Sequence, residues 1–177
     1  MGLLDTIKDQ SEAIQQSLIE NRLTELKTQI ETHAAGMVLD KVLYGLLEAM
    51  GLLFLLNEEY RRNIKDFEAS YVIHSEDGEI DVTAIFKKVP FLFKRIDGMD
   101  VKDTAISDPT TAVTFKDGKA MADFLLSGNT DVIEGMLDNK LSVSGNLNYL
   151  FKFIYLLWLI PELLGINDFK ELLSARA

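Results

Sequence analysis

Few residues in this chain could carry out chemistry, and they are not spaced for it. The two histidines, His33 and His74, lie in different predicted elements, and neither has a second ligand at metal-site spacing. Carboxylate pairs such as Glu58 and Glu59 occur, as a chain with 26% charged residues guarantees. No glycine-rich phosphate loop, HExxH or GxSxG motif is present. We therefore expect no enzymatic activity, no metal and no cofactor.

The charge and the lack of cysteine narrow the range of partners. The chain has 177 residues and a net charge of −10, whereas nucleic-acid binding requires a basic surface, so we expect no nucleic-acid partner. Without cysteine, neither disulfides nor thiolate chemistry can occur. The N-terminus lacks the basic start and apolar run of a signal peptide, and we expect a cytoplasmic protein.

Two segments are apolar on nearly all sides. Residues 42–56 are interrupted only by Glu48, and residues 149–160 only by Lys152. Because neither segment reaches 18 uncharged apolar residues, no transmembrane helix is expected. A domain of this size can bury one such helix against a sheet. Two of them indicate either an internal apolar cavity or a surface for a partner.

Residues 110–160 predict a defined order of short elements. Residues 111–115 alternate β-branched and apolar side chains, which is typical of a half-buried strand. Two short helices, 119–126 and 131–137, follow, with the segment 127–130 ending the first and offering caps to the second. A strand at 140–144 and a very apolar helix at 146–160 complete the order.

This order resembles that of the sterol carrier protein-2 family of small lipid-binding domains. The family's last strand has the form G-K-L-x-[IV]-x-G-[ND], and residues 139–146 read NKLSVSGN. Asn139 replaces the first glycine, a mild departure because both residues tolerate left-handed turns. Residues 123–128, DFLLSG, fit the end of the family's first short helix. The close match lies within 110–160, and a looser match extends back to residue 69.

The resemblance implies a fold and a function. In the family, a hydrophobic tunnel between sheet and helices holds a lipid tail, so a sterol, a fatty acyl chain or an isoprenoid would be bound and transferred or presented without catalysis. The residues that the resemblance would place in such a tunnel come from the matching elements, and they are Phe115, Met121, Phe124, Leu125, Val132, Met136, Leu141, Val143, Leu150, Phe151, Ile154 and Trp158. Plain core packing is the alternative for each of them.

The first half of the chain predicts two long helices and a hairpin. Apolar residues at helical spacing predict helices over 3–34 and 37–67. Residues 69–86 alternate around Glu76-Asp77-Gly78, which predicts a β-hairpin. A third strand is expected at 99–106 and a last helix at 161–174. The fold class is therefore α+β, with a five-stranded mixed sheet covered by helices mainly on one face. We expect a helical extension at 1–67 and a lipid-binding domain at 68–177.

Residues 87–95, KKVPFLFKR, reverse the sign of the chain's charge locally. Because Pro90 argues against a central strand, this segment is predicted to be a loop. One interpretation is transient contact with a lipid headgroup layer, through side chains that insert or meet phosphates, namely Lys87, Lys88, Phe91, Phe93, Lys94 and Arg95. The other is a loop that covers the core, with its charges solvated.

Two further functions remain open from the sequence. The protein could be an accessory factor of isoprenoid-quinone or lipid metabolism that acts through partner proteins. It could also be a structural module that forms a homodimer through its N-terminal helices, with a core filled by Phe124, Phe151 and Trp158.

Overall fold

The computed structural model of this chain describes residues 2–126 and 131–166, with only the backbone described at Leu3, Leu125 and Leu126. These residues form six helices and five strands. In chain order they are α1 Leu3–Ala35, α2 Leu39–Leu56, α3 Glu58–Arg62, β1 Ala69–Ser75, β2 Asp81–Phe91, β3 Lys94–Lys102, β4 Thr111–Phe115, α4 Gly118–Leu126, α5 Val132–Leu137, β5 Leu141–Gly145 and α6 Leu147–Leu164.

The five strands form one mixed sheet in the order β3-β2-β1-β4-β5. β1 and β4 are parallel, with Ile73 opposite Val113, and the other neighbouring pairs are antiparallel. The predicted α+β class with a five-stranded mixed sheet behind a long N-terminal helix is confirmed. β4 and α5 also begin and end within a residue of the predicted bounds.

The hydrophobic core lies on one face of the sheet. Side chains of alternate strand residues point to the same face. The strand residues that join the core obey this alternation: Ala69, Tyr71, Ile73, Val82, Ala84, Phe86, Met99, Val113, Phe115 and Leu141. The same core includes Leu26 and Ile30 of α1 and Leu47 and Met50 of α2. The N-terminal helices therefore help to build the core, and the division between 1–67 and 68–177 stays a prediction.

The single helix predicted over 37–67 is in fact two helices. Asn57 leaves the helical conformation, with φ −108° and ψ 102°, and ends α2. Its side chain accepts a hydrogen bond from the Tyr60 amide at 2.9 Å and so caps the start of α3. Residues 58–62 then form α3, which contributes the buried Tyr60 to the core.

The loop predicted at 87–95 is a β-hairpin. β2 continues to Phe91, which pairs with Lys94 at the start of β3, and Leu92 and Phe93 form the turn. The third strand therefore begins at Lys94 rather than at residue 99. The pairing of β1 with β2 ends at Phe86, so at Pro90 the only neighbour of β2 among the described strands is β3. A missing N–H costs no ladder hydrogen bond on that open side.

The last described helix differs from its prediction. Pro161 was expected to start a new helix over 161–174, but it lies inside α6, which continues to Leu164. Gly165 then ends the helix in the left-handed conformation, with φ 65°. The rest of the predicted 161–174 helix, from residue 167 onward, lies outside the described residues.

One helix in the described part of the chain, α6, is long and apolar enough to cross a membrane. Core helices of other folds meet the same criteria of length and composition. α6 buries Leu150, Phe153, Leu156 and Ile160 within the protein. The prediction that the chain has no transmembrane helix is not tested by this property.

Candidate functional site

An apolar cavity lies between the sheet and the helices α2, α4, α5 and α6. Its volume is about 50 Å³. The side chains that line it are all apolar or aromatic: Leu43, Ile73, Val113, Phe115, Met121, Phe124, Val132, Leu141, Leu150, Phe153, Ile154, Leu157 and Trp158. Four of these residues, Phe124, Ile154, Leu157 and Trp158, are only partly buried. The wall formed by α4 and α6 therefore reaches the surface.

The sheet supplies the floor of the cavity through neighbouring strands. In β4, Val113 and Phe115 are two residues apart and point to the same face. Val113 lies beside Ile73 of β1, and Phe115 lies beside Leu141 of β5. The register of three strands thus brings four side chains from distant parts of the sequence together.

Polar side chains cap the helices that form the cavity wall. Asp117 accepts a hydrogen bond from the Ala120 amide at 2.7 Å, and Asp131 accepts one from the Glu134 amide at 3.0 Å. Asn146 does the same for the Asn148 amide at 2.9 Å. α5 is therefore capped by Asp131, one residue after the predicted capping segment 127–130, which lies outside the described residues. Each cap fixes where a helix begins and which side chains it turns toward the cavity.

Two tyrosine hydroxyls fix the position of α6. The Tyr71 hydroxyl donates to the Tyr149 carbonyl at 2.9 Å, and the Tyr60 hydroxyl donates to the Leu156 carbonyl at 2.9 Å. Burial raises the pKa of both phenols above the ordinary value of 10.0, with smaller contributions from Tyr149 on Tyr71 and from Tyr155 on Tyr60. Both groups remain neutral donors at physiological pH.

A single carboxylate joins the first hairpin turn to α4. Asp77 Oδ1 accepts hydrogen bonds from the Ser75 hydroxyl at 2.5 Å and from the Glu79 amide at 3.1 Å. Its Oδ2 accepts from the Gly118 amide at 3.2 Å, at the start of α4. The hydrogen bond from Ser75 is the largest cause that lowers the pKa of Asp77, followed by that from Glu79. The deprotonated side chain therefore positions the helix that carries Met121 and Phe124.

Most residues that the resemblance assigned to a tunnel lie together around this cavity. They are Phe115, Met121, Phe124, Val132, Leu141, Leu150, Ile154 and Trp158. Their role in binding stays a prediction. Their convergence shows that strand β4, the two short helices, strand β5 and α6 surround one space.

The remaining four assigned residues lie elsewhere or are not described. Phe151 is 46% exposed, because it lies on the solvent side of α6, and Met136 is 37% exposed on α5. Val143 packs on the edge of the core but does not line the cavity. The side chain of Leu125 lies outside the described residues.

Five lining residues were not expected from the sequence: Leu43, Ile73, Val113, Phe153 and Leu157. Ile73 and Val113 could have been found, since each lies on the core-facing side of a predicted strand. Leu157 lies one helical turn from Phe153, so helical spacing could also have placed both residues on the same face of α6. Leu43 of α2 gave no such signal, because that helix is apolar on nearly all sides.

Two of the four cations in the basic segment 87–95 form ion pairs with carboxylates. Lys87 forms an ion pair with Asp100. Lys88 lies 2.7 Å from Asp97 and 3.0 Å from Asp66, and hydrogen bonds first to Asp97 and then to Asp66 raise its pKa. Arg95 donates to the Lys88 carbonyl at 2.7 Å, while Phe93 is 72% exposed at the turn. Membrane contact through this hairpin stays a prediction.

Neither histidine lines the cavity. His74 lies across the strand pair from Asp81, with 3.8 Å between Nδ1 and Oδ1, and neither of these two atoms has a hydrogen-bond partner. Residues 2–126 and 131–166 contain no group of three or more metal-ligating side chains placed to hold an ion. The chemistry that this site offers is therefore apolar contact.

Comparison with known proteins finds likeness among solved structures. No family model matches the chain, and no curated protein matches it. Among solved structures, one match is the solution structure of a conserved hypothetical protein of Thermus thermophilus, which is suggested to be a sterol carrier protein. It shares 13% identity and a TM-score of 0.39, over 75% of this chain and 89% of that chain. At this level the likeness supports no conclusion about family or function.

Proposed function

We propose that the protein binds an apolar chain, such as a sterol, fatty acyl or isoprenoid lipid, in the cavity between its sheet and helices. The observation that carries the proposal is the wholly apolar lining, contributed by three strands and four helices. A lipid tail needs no polar partner in such a site. The absence of a catalytic motif in the sequence agrees with carriage or presentation of the lipid rather than its conversion.

The cavity must widen to accept such a ligand. Its 50 Å³ would hold a few water molecules, whereas ligand pockets usually measure several hundred Å³. The partly buried side chains of the α4 and α6 wall can move with the smallest loss of packing energy, because they are not enclosed on all sides. Each methylene removed from water then contributes about 0.8 kcal/mol. Ten methylenes give about 8 kcal/mol before the costs of ordering and opening.

A pair of matched substitutions on α6 tests this proposal. Ile154→Trp fills the cavity, whereas Tyr155→Trp adds a similar ring one residue away on the exposed face. We expect uptake of a fluorescent fatty acid or sterol analogue to fall at least about tenfold for Ile154→Trp and to be unchanged for Tyr155→Trp. Thermal melts of both variants check that the fold survives. Equal uptake by both variants would show that the probe binds elsewhere.

A second candidate function is favoured by the small volume of the cavity. If the site is a packed core, the protein acts through its surface, as a structural module or as an accessory factor for partner proteins. Partial burial of Phe124 and Trp158 at the cavity wall fits either function. Failure of the wild-type protein to take up any apolar probe, together with a clean apo mass, would favour this second function.

A further inference from the structure

The first half of α1 carries an apolar stripe that no other described element covers. Leu4, Ile7, Ile14 and Leu18 are between 48% and 81% exposed. Together with Ser11 they occupy positions 4, 7, 11, 14 and 18, the alternating three- and four-residue spacing of a coiled-coil seam. The first hydrogen bond from the described part of α1 to another element comes from Arg22, which bonds to Glu48. The large apolar side chains of the stripe thus lie exposed, while Ser11 and Gln15 are partly buried.

The stripe is not a continuation of the packing between α1 and the core. The core-facing residues of α1 are Ile19, Leu26, Ile30 and Ala34. At ~100° per residue, their side of the helix lies about 120° away from the stripe. The apolar face of α1 therefore changes direction between Leu18 and Ile19. Since α2 packs on one side only, it leaves the stripe for another partner.

The distribution of charge around the stripe favours self-association over binding to a lipid surface. Positions that flank the stripe carry Lys8, Gln10, Gln15 and Ser17, and none of them is acidic. The three carboxylates of this segment, at Asp5, Asp9 and Glu12, lie at least about 120° from the centre of the stripe. A seam between two copies therefore brings no like charges together, although each chain carries −10. Helices that lie on membranes are instead rich in Lys and Arg on the polar face.

We propose that residues 4–18 of two copies of this chain pair as an antiparallel two-helix seam centred on Ser11. Leu4 then packs near Leu18 of the second copy, and Ile7 packs near its Ile14. The antiparallel arrangement separates the two acidic bodies at opposite ends of a seam about 21 Å long and aligns the helix dipoles favourably. The seam is shorter than a standard protein interface, so the dimer is weak and depends on concentration.

Sedimentation analysis over a range of concentrations tests the pairing. The average mass of the wild-type protein is expected to rise with concentration from 19.9 kDa toward twice that value. Ile14→Asp places a charge in the seam and is expected to weaken association at least about tenfold. Ala13→Asp adds the same charge to an exposed position one residue away, about 140° from the centre of the stripe, and is expected to leave association unchanged.

Cross-linking tests the orientation cleanly, because the chain has no cysteine of its own. In an equimolar mixture, Leu4→Cys and Leu18→Cys are expected to form a mixed disulfide under mild oxidation. Each variant alone is expected to remain uncross-linked, since antiparallel pairing separates like positions by the length of the seam. Self-cross-linking of either variant alone would overturn the antiparallel arrangement.

Two other results would overturn the proposal entirely. One is a mass of 19.9 kDa at every concentration tested. The other is a monomer that binds neutral phosphatidylcholine vesicles and loses that binding in Ile14→Asp, which would make the stripe a lipid-surface contact. Neither result bears on the cavity, whose ligand uptake is measured separately, so this inference and the proposed function can fail independently.

Discussion

At the scale of single residues, two buried hydroxyls hold α6 over the sheet. Tyr71 reaches the Tyr149 carbonyl from the centre of β1, and Tyr60 reaches the Leu156 carbonyl from α3. Both acceptors lie on the helix that supplies five of the cavity-lining side chains. The hydrogen bonds therefore set the distance between the cavity floor and its wall.

Removal of the Tyr71 hydroxyl is expected to destabilise the protein modestly. Tyr71→Phe keeps the ring in the core but loses one buried hydrogen bond, which costs about 1 kcal/mol of unfolding free energy. For a chain of this size the melting temperature falls by about 2–4 °C. Tyr155→Phe, on the exposed side of α6, is the control and is expected to leave the melting temperature unchanged. Equal losses in the two variants would contradict the role of Tyr71.

The lowered pKa of Asp77 predicts that the folded protein loses stability at acid pH. We call this loss the acid limb of the stability profile. Because the pKa of Asp77 is lowered in the folded state, its contribution is complete above the unfolded pKa of about 3.9 and is lost as pH falls through the lower folded value. Asp77→Asn is expected to flatten this limb in melting temperatures measured between about pH 2 and pH 5. A wild-type-like acid limb in Asp77→Asn would show that other carboxylates cause it.

The sequence predicts which elements surround the site better than it predicts which side chains line it. The resemblance assigned Phe115, Leu141, Leu150 and Ile154 to a tunnel, and all four side chains line the cavity. The resemblance also assigned Phe151, yet this side chain faces solvent. Leu43 was missed because only tertiary packing decides which side of an all-apolar helix meets a cavity.

At the scale of elements, the break between α2 and α3 depends on one side chain. Asn57→Ala is expected to cost about 1 kcal/mol of unfolding free energy in urea titrations, because the Tyr60 amide loses its cap. Asn57→Ser retains an oxygen that can accept the same hydrogen bond and is expected to recover most of the loss. A loss in Asn57→Ser as large as that in Asn57→Ala would contradict the capping role.

Boundaries of elements were predictable where a local signal decides them. Asn57 followed by Glu58 and Glu59 is a helix-start signal that the apolar run before it obscured. The hairpin at 87–95 had no such signal. Pro90 is tolerated because the pairing of β1 with β2 ends before it. The residues around Pro90 do not indicate how long the neighbouring strand is.

At the scale of the whole molecule, residues 19–66 contribute buried side chains, whereas the described side chains of residues 2–18 are not buried. Removal of residues 2–18 is expected to leave the melting temperature of the dilute protein unchanged, because the large apolar side chains described at 4–18 are exposed. Removal of residues 1–66 strips away Leu43, Leu47 and Met50, which are buried in the core, and is expected to abolish cooperative melting. A stable 67–177 fragment would contradict this dependence and would support the predicted division.

The most direct test of the central claim is native mass spectrometry of the purified protein, followed by solvent extraction and lipid mass analysis. We predict an added mass that matches an extractable apolar molecule. We also predict that Ile154→Trp loses this mass and that Tyr155→Trp keeps it. A clean apo mass of 19.9 kDa, with no uptake of fatty acid or sterol probes by the wild-type protein, would contradict lipid binding.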